Sequence, residues 1–212
     1  EELGFSQRDA EIGRAHLLYR AELDTAHGRW HADVDATRLR QDPYSPHSRE
    51  GAGLTPRMPR DANVNPADAR QDQDRAQLNL GYVHALATTQ IALNFSAAGT
   101  DFATTRGFLR DGFAADGTTI NADGFRQHGH VTDLWLDVAW SGQFGPALRW
   151  ATGADWLYGD AHQRSGNFEY AVLPAGTSRP AALSRPVDEA TRFAIERHFA
   201  GLYLQVDWDV LP

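Results

Sequence analysis

His130-Val131-Thr132-Asp133-Leu134-Trp135-Leu136-Asp137-Val138-Ala139-Trp140 alternates apolar and polar side chains over most of its length. Thr132, Leu134, Leu136, Val138 and Trp140 share one side, and Asp133 and Asp137 share the other. Period two is the signature of an extended strand, because successive Cβ atoms point to opposite faces of the pleated backbone. The stretch reads as a strand with one apolar and one polar face.

The chain repeats this pattern on both sides of that segment. Arg14 to Asp24 sets Ala15, Leu17, Tyr19, Ala21 and Leu23 against a charged row. Arg29 to Arg40 sets Trp30, Ala32, Val34 and Ala36 against His31, Asp33 and Asp35. Arg75 to Ala85, Thr88 to Ala97, Ala147 to Tyr158 and Arg197 to Asp209 follow the same rule. Seven strands result, each nearer the ~9–11 residues that cross a bilayer at a tilt than the ~5–6 of an ordinary strand. With these boundaries the connections 25–28, 86–87 and 141–146 are short, while 41–74, 98–129 and 159–196 are long. Strict alternation of short and long connections predicts an up-and-down meander with all its long loops at one end.

Aromatic residues point the same way. Trp30, Trp140, Trp150 and Trp208 fall at the short-connection ends of their strands, whereas Phe95, Trp156 and Tyr158 fall at the other ends. Two aromatic bands separated by Ala, Leu and Val match the interfacial girdles of a membrane barrel. The expected fold is therefore all-β: an antiparallel up-and-down transmembrane β-barrel segment of about seven strands, spanning residues 1–212. Seven strands leave two open edges, so the segment is expected to belong to a larger barrel.

Composition bounds the alternatives. With 28 acidic and 20 basic residues, net charge −8, the chain lacks the basic surface that nucleic acid demands. The absence of Cys removes disulfides, thiolate catalysis and Cys-ligated zinc. Glu1-Glu2-Leu3-Gly4 opens without the basic and apolar regions of a signal peptide, which an envelope protein would carry upstream.

Leu148-Arg149-Trp150-Ala151-Thr152-Gly153-Ala154-Asp155-Trp156 and Gly201-Leu202-Tyr203-Leu204-Gln205-Val206-Asp207-Trp208 resemble barrel strands of TonB-dependent outer-membrane receptors, particularly the ferric-siderophore type. Asp35-Ala36-Thr37-Arg38 through Tyr44-Ser45-Pro46 is similar in style. The resemblance implies a 22-stranded-type barrel in the bacterial outer membrane, with the plug domain and the remaining strands outside this chain. It implies receptor and transporter function, namely energy-coupled uptake of a scarce nutrient such as a ferric-siderophore chelate. The lipid bilayer would then be a partner, and TonB would be met only through parts absent from this chain. Two other readings stay open: a smaller outer-membrane barrel with an adhesive or structural role, and a soluble β-rich ligand-binding domain.

Candidate ligand contacts lie in the long connections. Arg and Tyr suit anionic, oxygen-rich ligands because guanidinium pairs bidentately with carboxylates. The residues singled out are Tyr44, His47, Arg106, Arg110, His128, His130 and Arg164, with Arg49, Arg57, Arg60, Arg126 and Tyr170 nearby in sequence. Arg106 and Arg110 share a segment with Phe102, Phe108 and Phe113 that could fold inward. His128 and His130 form the tightest His pair, but a metal needs three or four ligands, so no metal site or cofactor is expected. Asp116 to Gly124 reads as turn chemistry rather than a calcium loop. No nucleophile elbow, zinc-protease motif, phosphate loop or dinucleotide fingerprint is present, so no enzyme is expected.

Overall fold

The computed structural model describes residues 11–43, 65–113, 120–172, 185–186 and 191–209. The strands are β1 (Ile12–Thr25), β2 (Gly28–Gln41), β3 (Arg70–Ala85), β4 (Thr89–Phe113), β5 (Ile120–Phe144), β6 (Leu148–Val172), β7 (Arg185–Pro186) and β8 (Thr191–Trp208). They form one antiparallel sheet in the order β1-β2-β3-β4-β5-β6, after which both β7 and β8 pair with β6. The two-residue β7 meets only Phe168 and Glu169, and β8 takes the rest of that edge from Ser165 down to Leu148.

Local chemistry sets the tight connections. Between β1 and β2 the Thr25 hydroxyl donates to the Gly28 carbonyl at 2.7 Å and accepts from the Gly28 amide at 3.1 Å. The Tyr82 hydroxyl donates to the His27 carbonyl at 2.9 Å and ties the turn to β3. Between β5 and β6, Gly145 holds φ of 64°, a left-handed conformation that a side chain disfavours.

Pairing register sorts the residues into rows that run across the sheet. Tyr19, Val34, Leu78, Ala97, Leu134, Tyr158 and His198 form one row. Two residues further along lie Ala21, Ala32, Leu80, Phe95, Leu136, Trp156 and Ala200, and then Leu23, Trp30, Tyr82, Leu93, Val138, Ala154 and Leu202. All three rows share one face because side-chain direction repeats every second residue. The opposite face carries the carboxylates of Asp33, Asp35 and Asp133, paired with Arg20 at 2.6 Å, His16 at 3.1 Å and Arg197 at 2.9 Å.

The barrel expectation is overturned. Among the described residues β1 pairs only with β2 and β8 only with β6, so the sheet has two free edges and does not close. The architecture is an open antiparallel sheet rather than a transmembrane barrel segment. The aromatic rows are clusters on one face of that sheet: Trp30 lies 4.3 Å from Tyr82 and Trp140 lies 5.0 Å from Trp150, between ring centroids. Strands of bilayer length and alternating faces suit any long two-faced sheet, which is why they misled.

All three long connections are corrected as well, 41–74 the least, since β3 begins at Arg70. β4, β5 and β6 each run 25 residues, so most of 98–129 and the start of 159–196 are strand. Beyond Gly99, Thr132 and Asp160 both faces turn polar, and the hydropathy alternation fades while the pairing continues. The sequence pattern ended there; the backbone ladder did not.

The only packed core among the described residues sits at this far end. Ala69, Ala122, Phe168, Tyr170 and Val172 are buried there together with Asn65, Pro66 and Thr105. Asn65 pins the segment before β3 onto the sheet: its Nδ2 donates to the Pro43 carbonyl at 2.8 Å, and its Oδ1 accepts the Gly107 amide at 3.0 Å. Gly107 and Gly124 admit the Tyr170 and Phe168 rings where a Cβ would collide.

Candidate functional site

Beside this packed end the sheet carries a cleft of about 410 Å³ lined by residues of β3 to β6, among them Arg70, Ala103, Arg126, His128, Arg164 and Phe168. The register explains the grouping. Arg70, Thr105, Arg126 and Gly166 form one row, and Asp72, Ala103, His128, Arg164 and Arg192 form the next on the same face. This is the continuation of the apolar face past the point where its residues become charged.

The cations of the cleft differ in how they are compensated. Arg126 donates to the Asp68 carboxylate and lies over the Phe168 ring, 4.9 Å from guanidinium carbon to centroid. Arg70 has Asp72 at 3.8 Å. Arg40, one strand away, holds Asp74 through two bonds of 3.0 and 2.7 Å, and those bonds keep the Asp74 carboxyl below its ordinary range. The side chains of His128 and Arg164, and of Arg192 beside them on β8, make no hydrogen bond or ion pair with any described residue. All three are exposed.

The expected site residues separate into groups. His128 and Arg164 are direct cross-strand partners and line the cleft together. His130 lies two residues along on the same face but is engaged, with Nδ1 at 2.7 Å from Asp101 and Nε2 at 2.9 Å from the Thr132 hydroxyl. Arg106 belongs to β4, in the row of Phe125 and Asn167, and therefore points to the opposite face. Arg110 is also in β4, with its side chain outside the described residues. Tyr44, His47, Arg49, Arg57 and Arg60, and the 116–119 part of the turn segment, lie outside the described residues.

Arg126, His128 and Arg164 are thus strand residues rather than loop residues, and His130 lies within β5 instead of at a strand end. Arg70, Arg192 and Phe168 were missed. Arg70 opens a run, Arg-Gln-Asp-Gln-Asp-Arg, whose two faces are both polar, so no hydropathy signal marks it as strand. Tyr170 does not line the cleft. It packs 5.9 Å from Phe168, and burial, with Asp123 adding to it, pushes its hydroxyl well above the ordinary tyrosine range.

Guanidinium and imidazole groups beside the buried Phe168 ring can bind and orient an anion. Among the described residues no three His, Asp or Glu side chains are placed to hold a metal. No family model matches the chain, and no curated protein matches it.

The receptor reading falls with the barrel. An open sheet encloses no lumen, and an open edge in hydrocarbon leaves backbone groups unsatisfied. The resemblance to TonB-dependent receptors, the outer-membrane location, the bilayer as partner and the uptake of a ferric-siderophore chelate are each corrected on that ground.

Proposed function

We propose that the chain is a β-rich ligand-binding domain whose site is the cleft between Arg70, Ala103, Arg126, His128, Arg164 and Phe168, and that it binds without catalysing a reaction. The observation that carries this is the position of the cleft against the packed end of the sheet. There Asn65, Phe168 and Tyr170 fix the backbone of β4 to β6, so the lining residues are held in register instead of hanging from a mobile connection. A preformed concavity with a few convergent polar groups is the usual form of a small-molecule site.

Ligand-observed magnetic resonance against a fragment library tests it. Ala103 lies in the cleft, and Ala103→Trp fills it. Fragments that bind the unaltered chain should be lost in Ala103→Trp and kept in Ala139→Trp, on another part of the sheet. Equal binding to both variants would overturn the assignment.

A further inference from the structure

We propose that the cleft takes the oxyanion end of a small polyanion, a molecule carrying two or more phosphate or carboxylate groups; this rests on the binding reading above. The row His128–Arg164–Arg192 carries the inference. These residues are direct cross-strand partners on β5, β6 and β8. Neighbouring strands lie about 4.8 Å apart, so the row places three cation-capable groups within roughly 10 Å.

Like charges set directly opposite one another destabilise a sheet. Arg40 and Arg126 of the same face are each compensated, by Asp74 and by Asp68. His128, Arg164 and Arg192 have no carboxylate within reach among the described residues. The nearby carboxylates of Asp101 and Asp160 are committed to His130 and His162, at 2.7 and 2.9 Å. In a chain of net charge −8, a basic row without carboxylate partners among the described residues is a local exception. Two guanidinium forks donate bidentately to oxyanions, and the His128 imidazole beside Arg164 adds a third donor.

One monoanion would neutralise one of these groups; two linked anionic groups reach along the row. The remainder of the ligand would lie over Ala103, towards Arg126 and Arg70.

Isothermal titration of the full chain with inorganic pyrophosphate and, separately, with citrate tests the proposal. At least one should bind saturably, with affinity falling as salt rises. Arg164→Gln and Arg192→Gln should each weaken binding tenfold or more. Arg29→Gln, whose residue pairs with Asp24 at the other end of the sheet, should leave it unchanged. Pyrophosphate binding alone would fix phosphate as the group recognised, and citrate binding alone would fix carboxylate. No saturable binding of either, or equal weakening by Arg29→Gln, would overturn the proposal. If fragments are still displaced by Ala103→Trp while neither oxyanion binds, the cleft stands and its ligand class is wrong. If both experiments fail, the site itself is wrong.

Discussion

The two ends of the same sheet face are built from one alternating pattern and have opposite fates. At the far end of β4 to β6, Phe168 is 2 % exposed and packs against Tyr170. Over the middle and near end, Leu202 is 89 % exposed, Leu204 73 % and Trp208 67 %, and Leu136 in the centre of the sheet is 42 % exposed. Pairing alone does not bury a side chain, because a single sheet layer has no second surface to pack against. Where the chain doubles back over its own strands a core appears. Where it does not, the apolar side chains of the face stay exposed.

The largest expected effect breaks the comparison directly. Phe168→Ala removes a buried ring and should cost about 3–5 kcal/mol, whereas Leu204→Ala on the open face should cost under about 0.5 kcal/mol. Urea unfolding of both variants measures the difference. A comparable loss in the second would mean that the open face is covered in solution.

Asn65→Ala is next. It strips the donor from the Pro43 carbonyl and the acceptor from the Gly107 amide in a buried setting. A loss of about 1–3 kcal/mol is expected. Faster hydrogen exchange at the Gly107 amide should accompany it. Unchanged protection there would show that Asn65 does not hold the segment down.

A pair of glycines sharpens the same contrast. A Cβ at Gly124 would run into the Phe168 ring and the Arg106 carbonyl, while a Cβ at Gly99 meets nothing within 4 Å. Gly124→Ala should destabilise by about 1–3 kcal/mol through overpacking. Gly99→Ala should be neutral or slightly stabilising, since alanine favours the folded chain where its backbone fits. The two melting temperatures test this.

The smallest effect lies at high pH. Burial holds the Tyr170 hydroxyl above its ordinary value, so the folded state retains this proton after the unfolded chain has released it. Its contribution to stability is complete below about pH 10, the ordinary tyrosine value, and is lost as pH rises from there towards the folded value. In the native protein, phenolate absorbance should show one of the six tyrosines ionising last. Tyr170→Phe should remove that late step, and its persistence would assign the step to another tyrosine.

The strands were legible where the two faces differed in polarity. Leu134-Trp135-Leu136-Asp137-Val138 lies within β5, and its alternation corresponds to the row structure observed. The same rule lost β4 at Ala97 and β6 at Tyr158, because the residues beyond them are polar on both faces. The candidate site suffered from this. In the sequence His128 and Arg164 read as polar loop residues, and only the register shows that they face each other, with Arg192 completing their row. Arg106, which the same reading groups with them, points the other way.

The sequence by itself determined that the chain is antiparallel β with one apolar face, since period two in hydropathy follows from backbone geometry alone. Only the tertiary structure decided that the sheet stays open, where its core forms and which cations meet. Closure depends on whether the two edge strands come together, and packing depends on which segment folds back over which row. Both are relations between residues far apart in the chain, and a local alternation carries no information about them.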